Sequence, residues 1–372
     1  MYYVGYLLII IALFIYIKSI YDLTESRAAW MVYAIGLVII MSNQATIADY
    51  SNYELGYYKS VWGWSVTDQQ WLMTMSGYFA NKLGMTFQAY RTCIYILGIC
   101  LLVVAAKKVE SDITLFLILY SIFPMMIDAA QTKNFIAMAF LTLGLSELAS
   151  TSKSKHIKYI LLILIGAGFQ IILYAYIPLV LFCNEKLSKK YRAISIIPIL
   201  IIAAVFSVSA NRDILVTFLL SNASESFINR TKSFFSSHVN LGYLVYIMAT
   251  LIAIFVMHFT NAFNQETNDT IIQNDYTSIV LQCTYYAIAF IPLYFFRQDF
   301  SRLLRNFAPS ICIAVSIILS HNRGVVFGRH SIVFTKEKIK IFMITLLYLV
   351  YSFYWDIWNY LDGVVKPFFH LR

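Results

Sequence analysis

The chain has 372 residues, 60% of them hydrophobic and only 13% charged, with a mean hydropathy of +0.70. Soluble domains carry about 25% charged residues, so this composition excludes a water-soluble globule and points to lipid as the main solvent. The net charge of +9 does not point to nucleic acid, because the basic residues punctuate apolar runs, the distribution that orients membrane helices.

A crossing of the hydrocarbon needs about 20 apolar residues. On that measure the chain reads as one all-α, polytopic membrane domain over residues 1–372. Spans are predicted near Tyr2–Ile20, Trp30–Ile47, Phe87–Ala106, Asp112–Ile127 and Lys133–Ala149, then Ala193–Ala210, Leu241–Phe259, Tyr276–Phe295, Leu303–Ser320 and Lys340–Trp355. The run at Tyr2 has no basic segment before it and no small-residue cleavage site, so it reads as a retained helix. Cys93, Cys100, Cys183, Cys283 and Cys312 fall in or beside apolar runs without paired spacing, and read as small core hydrophobes.

Between His156 and Cys183 lies a long apolar stretch broken by Gly166-Ala167-Gly168-Phe169-Gln170. Lys153, Lys155 and Lys158 precede it, and Lys186, Lys189, Lys190 and Arg192 follow it. If both basic flanks are cytoplasmic, the stretch enters and leaves on one side, as a broken re-entrant hairpin with Gln170 at its tip. The alternative is a single kinked span. With the hairpin the fold is about ten full crossings plus the re-entrant element, and the N-terminus lies outside. Cytoplasmic segments then hold these flanks with Lys18, Arg27, Lys107, Lys108, Arg323, Arg329, Lys336, Lys338 and Lys340, leaving 28 − 16 = 12 basic residues outside.

The outer loops at 48–85 and 211–240 are long. Among the outer cations, Arg91, Lys133, Arg297, Arg302 and Arg305 sit near the starts of helices that run inward from the outer face. Helix N-termini and guanidinium forks both favour phosphate oxygens, so these five are candidates for binding a pyrophosphate, against the plainer reading of side chains snorkelling to headgroups. In the first loop, Asp49, Tyr53 and Tyr57 fall at i, i+4, i+8 of a predicted helix. Asp49 is a candidate general base, and Tyr53, Tyr57, Trp62 and Trp64 are candidate sugar platforms. An aromatic belt explains the same rings. The stretch Asp68–Lys82 reads as an amphipathic helix lying in the interface. His238, the only histidine of the second loop, is a second candidate base. There is no Walker A loop, dinucleotide fingerprint or His/Cys cluster, so no metal or nucleotide cofactor is expected.

Four stretches carry a family resemblance: Asp49-Tyr50 with Tyr53; Trp71 with Gly77-Tyr78-Phe79 and Leu83 to Gln88; Gln131-Thr132-Lys133-Asn134-Phe135-Ile136-Ala137; and Phe300-Ser301-Arg302 with Asn306-Phe307. In this order and placement the chain resembles the EpsG-like and Wzy-type polymerases of bacterial polysaccharide pathways. It departs from them at Lys133, where arginine is common, and at Gln170, where histidine is common. The resemblance implies a fold like the multispan C-type glycosyltransferases, in the cytoplasmic membrane of a bacterium with the active site facing outside. It implies transfer of a growing glycan from its undecaprenyl-pyrophosphate carrier onto a lipid-linked repeat unit, for capsule, exopolysaccharide or O-antigen. Donor and acceptor lipids, membrane lipids, and flippase and chain-length regulator proteins are the implied partners. Two other readings remain, a lipid-linked oligosaccharide flippase and an outer-face ligase. The lack of an internal repeat and the long outer loops weigh against the flippase.

Overall fold

The structure is a computed structural model. It describes residues 2–22, 27–44, 49–183, 201–202, 205, 242–266, 270–296, 298–320, 323–326, 329–332, 335–356 and 364–369. The expected span at Ala193–Ala210 and the second outer loop with His238 lie outside the described residues, apart from Ile201, Ile202 and Val205, and so does Arg297.

The apolar runs fold as helices. The first half holds α1 (Tyr2–Asp22), α2 (Arg27–Ser42), α3 (Tyr50–Lys59), α4 (Trp71–Lys82), α5 (Phe87–Lys108), α6 (Ile113–Ile122), α7 (Met125–Ala130), α8 (Thr132–Leu148), α9 (Lys155–Phe169) and α10 (Leu179–Phe182). The second half holds α11 (Gly242–Glu266), α12 (Ile271–Tyr286), α13 (Ile291–Tyr294), α14 (Arg302–Arg305), α15 (Ala308–Ser320), α16 (Lys336–Asp356) and α17 (Lys366–Phe369). The only sheet among the described residues is a short antiparallel ribbon, β1 (Arg323–Val326) with β2 (Arg329–Ile332), whose register pairs Arg323 with Ile332. Among the described residues, five helices are long and apolar enough to cross a membrane: Phe87–Lys108, Tyr243–Asn264, Ile271–Tyr294, Arg302–Ser320 and Lys336–Asp356. Shorter apolar helices include Arg27–Ser42 and Ile113–Ile122; at 1.5 Å per residue the latter covers about half of a bilayer core, and α7 continues it beyond Phe123-Pro124.

Close approach of α1 and α2 rests on two small residues. A Cβ on Gly5 would lie 2.9 Å from the Gly36 carbonyl oxygen, and one on Gly36 would lie 2.9 Å from that of Gly5. Without a hydrophobic drive between helices in lipid, such small-residue contacts are what packing uses. Helix α5 packs on α8, where Phe135 fills the space beside Gly98.

The broken stretch folds back on itself. After α9 the chain turns at Gln170, forms a 3-10 segment (Ile171–Tyr176) and ends in α10. The Tyr159 hydroxyl donates to the Tyr176 carbonyl (2.7 Å), and Cys183 returns to line a cavity with Leu148, Lys155 and His156 at the start of α9. The glycines permit this. A Cβ on Gly166 would collide with Leu173 of the returning limb and sit 3.0 Å from the Phe140 Cβ on α8. A Cβ on Gly168 would sit 2.6 Å from Leu72 on α4.

Tyrosine has a third use beyond belt and sugar platform. Tyr95, Tyr120, Tyr159, Tyr176, Tyr276, Tyr294 and Tyr348 are fully buried. Several donate to carbonyls near helix breaks: Tyr95 to Ala129 (2.7 Å), Tyr176 to Leu303 (2.9 Å) and, less buried, Tyr286 to Ala175 (2.7 Å). Broken helices release carbonyls that lipid cannot satisfy, and a phenol reaches them with a donor on an apolar body. The five cysteines are free; Cys283 and Cys312 are buried, whereas Cys93 and Cys100 are exposed on α5.

Candidate functional site

The site lies where α3, the start of α8 and the start of α14 meet. Helix α3 forms as its spacing predicts, with Asp49 as the residue before its first turn, exposed and at φ 68°. Tyr53, one turn on, turns its ring toward α8, and the Lys133 ammonium sits 5.1 Å above it. Burial raises the Tyr53 phenol above its usual pKa, the Asp49 carboxylate raises it further, and Arg302 opposes both. Asp49 also acts on Lys133. Asp49, Tyr53, Lys133 and Arg302 therefore share one electrostatic neighbourhood, drawn from three parts of the chain. Tyr57, the third residue of the row, is buried. Its hydroxyl donates to the Met85 carbonyl (2.6 Å), and its ring stacks on Tyr90 at 5.0 Å.

Two of the five candidate cations turn inward. Arg91 is 2% exposed. One terminal nitrogen donates to the carbonyls of Ser42 (3.1 Å) and Gln44 (3.0 Å), and the other to Ala129 (2.8 Å) and the Tyr95 hydroxyl (3.3 Å). Tyr50 and Tyr95 cover its faces at 5.2 Å each. Arg305 is 4% exposed and donates through Nη2 to Oε1 of Gln131. Lys133 and Arg302 are half-buried. The site brings together Asp49, Tyr53, Lys133 and Arg302, and places Arg91 and Arg305 behind them.

The remaining aromatic candidates are peripheral. Trp62 is 90% exposed and Trp64 38%. Gln170 meets the segment before α4, accepting from Nε2 of Gln70 (3.0 Å). Among the described residues no group of His, Cys, Asp or Glu could hold a metal ion.

Sequence reasoning missed the polar residues beneath the site. Asp128 is fully buried and accepts from the Tyr120 hydroxyl (2.9 Å). Asn134 donates to Asn306 (2.9 Å), tying α8 to the link between α14 and α15. The available signal for Asp128 was its position as a single acid in an apolar run, which in a membrane chain marks a functional candidate by default.

A polytopic helical membrane protein with cations gathered beside a carboxylate and a tyrosine is the class these features define. Comparison with protein families matches residues 27–366 to the EpsG family, and the chain belongs to it. The family is one of Wzy-like polysaccharide polymerases, a glycosyltransferase type of activity. No curated protein and no solved structure matches the chain.

Proposed function

We propose that this chain joins undecaprenyl-pyrophosphate-linked oligosaccharide repeat units at the outer face of the bacterial cytoplasmic membrane. The observation that carries the reading is the Lys133 ammonium over Tyr53, with Asp49 and Arg302 in the same neighbourhood. Lys133 lies in the first turn of a 17-residue helix, where free N–H groups and the dipole add to its charge. Lys133 and Arg302 hold the donor pyrophosphate. Arg91 and Arg305 hold the frame around it. The fold-back element from Lys155 to Cys183 re-enters the membrane from the cytoplasmic side, and the full count is ten crossings.

The acceptor hydroxyl oxygen attacks the anomeric carbon of the donor glycan. The bond from that carbon to the pyrophosphate oxygen breaks, and its electron pair leaves with the pyrophosphate. Cations positioned for that developing charge supply the main electrostatic term. The acceptor proton passes to Asp49, which is exposed to the loop side. The donor is already activated, so the step needs no nucleotide. Trp62 and Trp64, exposed beyond α3, offer platforms to the sugars.

The test is to size the surface glycan after replacing the gene with variants. Lys133→Ala and Arg302→Ala are expected to lower polymer formation by about 10²-fold or more, while single repeat units still reach the surface. Polymer of wild-type length in both variants refutes the site. Lipid-linked units trapped inside the cell after gene deletion indicate a flippase instead.

A further inference from the structure

A second charged cavity lies at the far end of the bundle from Tyr53. Helix α5 carries Arg91 near its start and Lys108 at its end, and its 22 residues span about 33 Å at 1.5 Å each. Just beyond Lys108, Glu110 and Asp112 help to wall a cavity of about 290 Å³, with Tyr16 and Ser19 of α1 and Arg27 and Trp30 of α2. The lining carries charge of both signs. Asp112 is fixed by two hydrogen bonds: Oδ1 accepts from the Leu115 amide (3.0 Å) at the start of α6, and Oδ2 from the Tyr16 hydroxyl (2.9 Å). Oε2 of Glu110 accepts from the Thr270 hydroxyl (3.2 Å). Each carboxylate has about four acceptor positions, so both acids keep capacity for a further donor. Among the described residues neither Arg27 nor Glu110 makes an ion pair.

These charges select the occupant. A plain anion would meet two carboxylates, a plain cation would meet Arg27, and a neutral sugar would answer none of the three. A phosphate with an ammonium arm answers all of them, since guanidinium forks suit phosphate oxygens and ammonium N–H groups make charge-assisted hydrogen bonds to carboxylates. The surroundings point to a lipid as its source. On α1 the exposed apolar row Val4, Leu7, Ile11, Phe14 and Ile17 leads to Tyr16 and Ser19, and on α2 the exposed Met31 follows Trp30. Such rows face acyl tails, and tryptophan belongs at headgroup level. The volume is at the lower limit of small-molecule sites, enough for a headgroup and too little for an oligosaccharide. We propose that this cavity binds the headgroup of phosphatidylethanolamine, with the phosphate on Arg27, the ammonium on Glu110 and Asp112, and the tails along α1. The cavity shares no residue with the site at Tyr53, so the two proposals fail separately.

The experiment counts bound lipid by native mass spectrometry as dioleoylphosphatidylethanolamine is titrated into the purified full chain. The matching choline and glycerol lipids are the comparisons. Choline keeps the positive charge without an N–H donor, and glycerol keeps the phosphate without a cation. The first ethanolamine lipid is expected to bind about tenfold more tightly than either, the scale of one hydrogen bond to a charged group. Glu110→Gln combined with Asp112→Asn is expected to cut that preference to about threefold or less, because neutral amides accept hydrogen bonds about half as strong. Asparagine at 112 still offers an acceptor to Tyr16 and to the start of α6. Equal binding of ethanolamine and choline lipids by the parent overturns the proposal, as does a preference that survives the double variant. If the double variant does not accumulate, the exposed Arg27 decides. Arg27→Gln is expected to weaken ethanolamine-lipid binding about fivefold, the scale of one exposed charge pair, and unchanged binding overturns the proposal. Tighter binding of the glycerol lipid assigns the cavity to an anion and overturns it too. Glycerophosphoethanolamine has no tails; if it binds as tightly as the lipid, the lipid assignment fails.

Discussion

At the end of the bundle that carries Glu147, two lysines share one acid. The Lys108 ammonium lies 2.7 Å from Oε1 of Glu147, and that of Lys158 lies 3.7 Å from Oε2. At the end that carries Tyr53, Arg91 is held by carbonyls, phenol and rings, Lys133 by a ring, and Arg305 by an amide. Among the described residues none of these three makes an ion pair. Dipoles satisfy a cation's hydrogen bonds without cancelling its net charge, so Arg91, Lys133 and Arg305 keep more of their attraction for an anion than Lys108 does beside Glu147. A count of basic residues does not separate the two ends; the identity of their partners does.

Three substitutions probe this contrast, in order of falling effect. Arg91→Ala removes the donor shared by three carbonyls and is expected to destabilise the fold by about 3–5 kcal/mol. A large drop in detergent-stable protein, followed by size-exclusion after heating, is the expected result, and parental stability would show that Arg91 is not part of the frame. Gly166→Ala forces a methyl toward Leu173 and the Phe140 Cβ and is expected to cost about 1–3 kcal/mol by overpacking. The same heating assay reads it, and a neutral result would mean the returning limb is not seated as described. Glu147→Gln removes the shared acid and is expected to cost about 1 kcal/mol or less. A loss as large as that of Arg91→Ala would erase the distinction between the ends.

The long apolar runs made α5, α8 and α16 legible to within a few residues, and the start but not the end of α11, because lipid demands length and hydropathy of them. The end of α9 just before Gln170 was legible from the Gly-Ala-Gly run. The row Asp49, Tyr53, Tyr57 was legible as one helix face, but not its division into a cation platform and a packed tyrosine. That division depends on what α5 and α8 present opposite each ring. The inward turn of Arg91 and Arg305 was not legible for a similar reason. A long cationic side chain reaches several Å either way along its helix, and only the carbonyls freed at Gln44 and Ala129 decide its direction. The ribbon after α15 was unforeseen, since four-residue strands carry little periodic signal.

The contact between Gln70 and Gln170 has a consequence for the conditions under which this protein works. It joins the tip of the folded-back element to the segment before α4 through two neutral amides, with Leu72 seated against Gly168 beside it. Amides neither gain nor lose a proton in water of ordinary acidity, and added salt screens them little. A histidine at the tip would make this joint answer to the acidity of the surroundings. With glutamine there, its strength stays constant through acidification and changes of ionic strength.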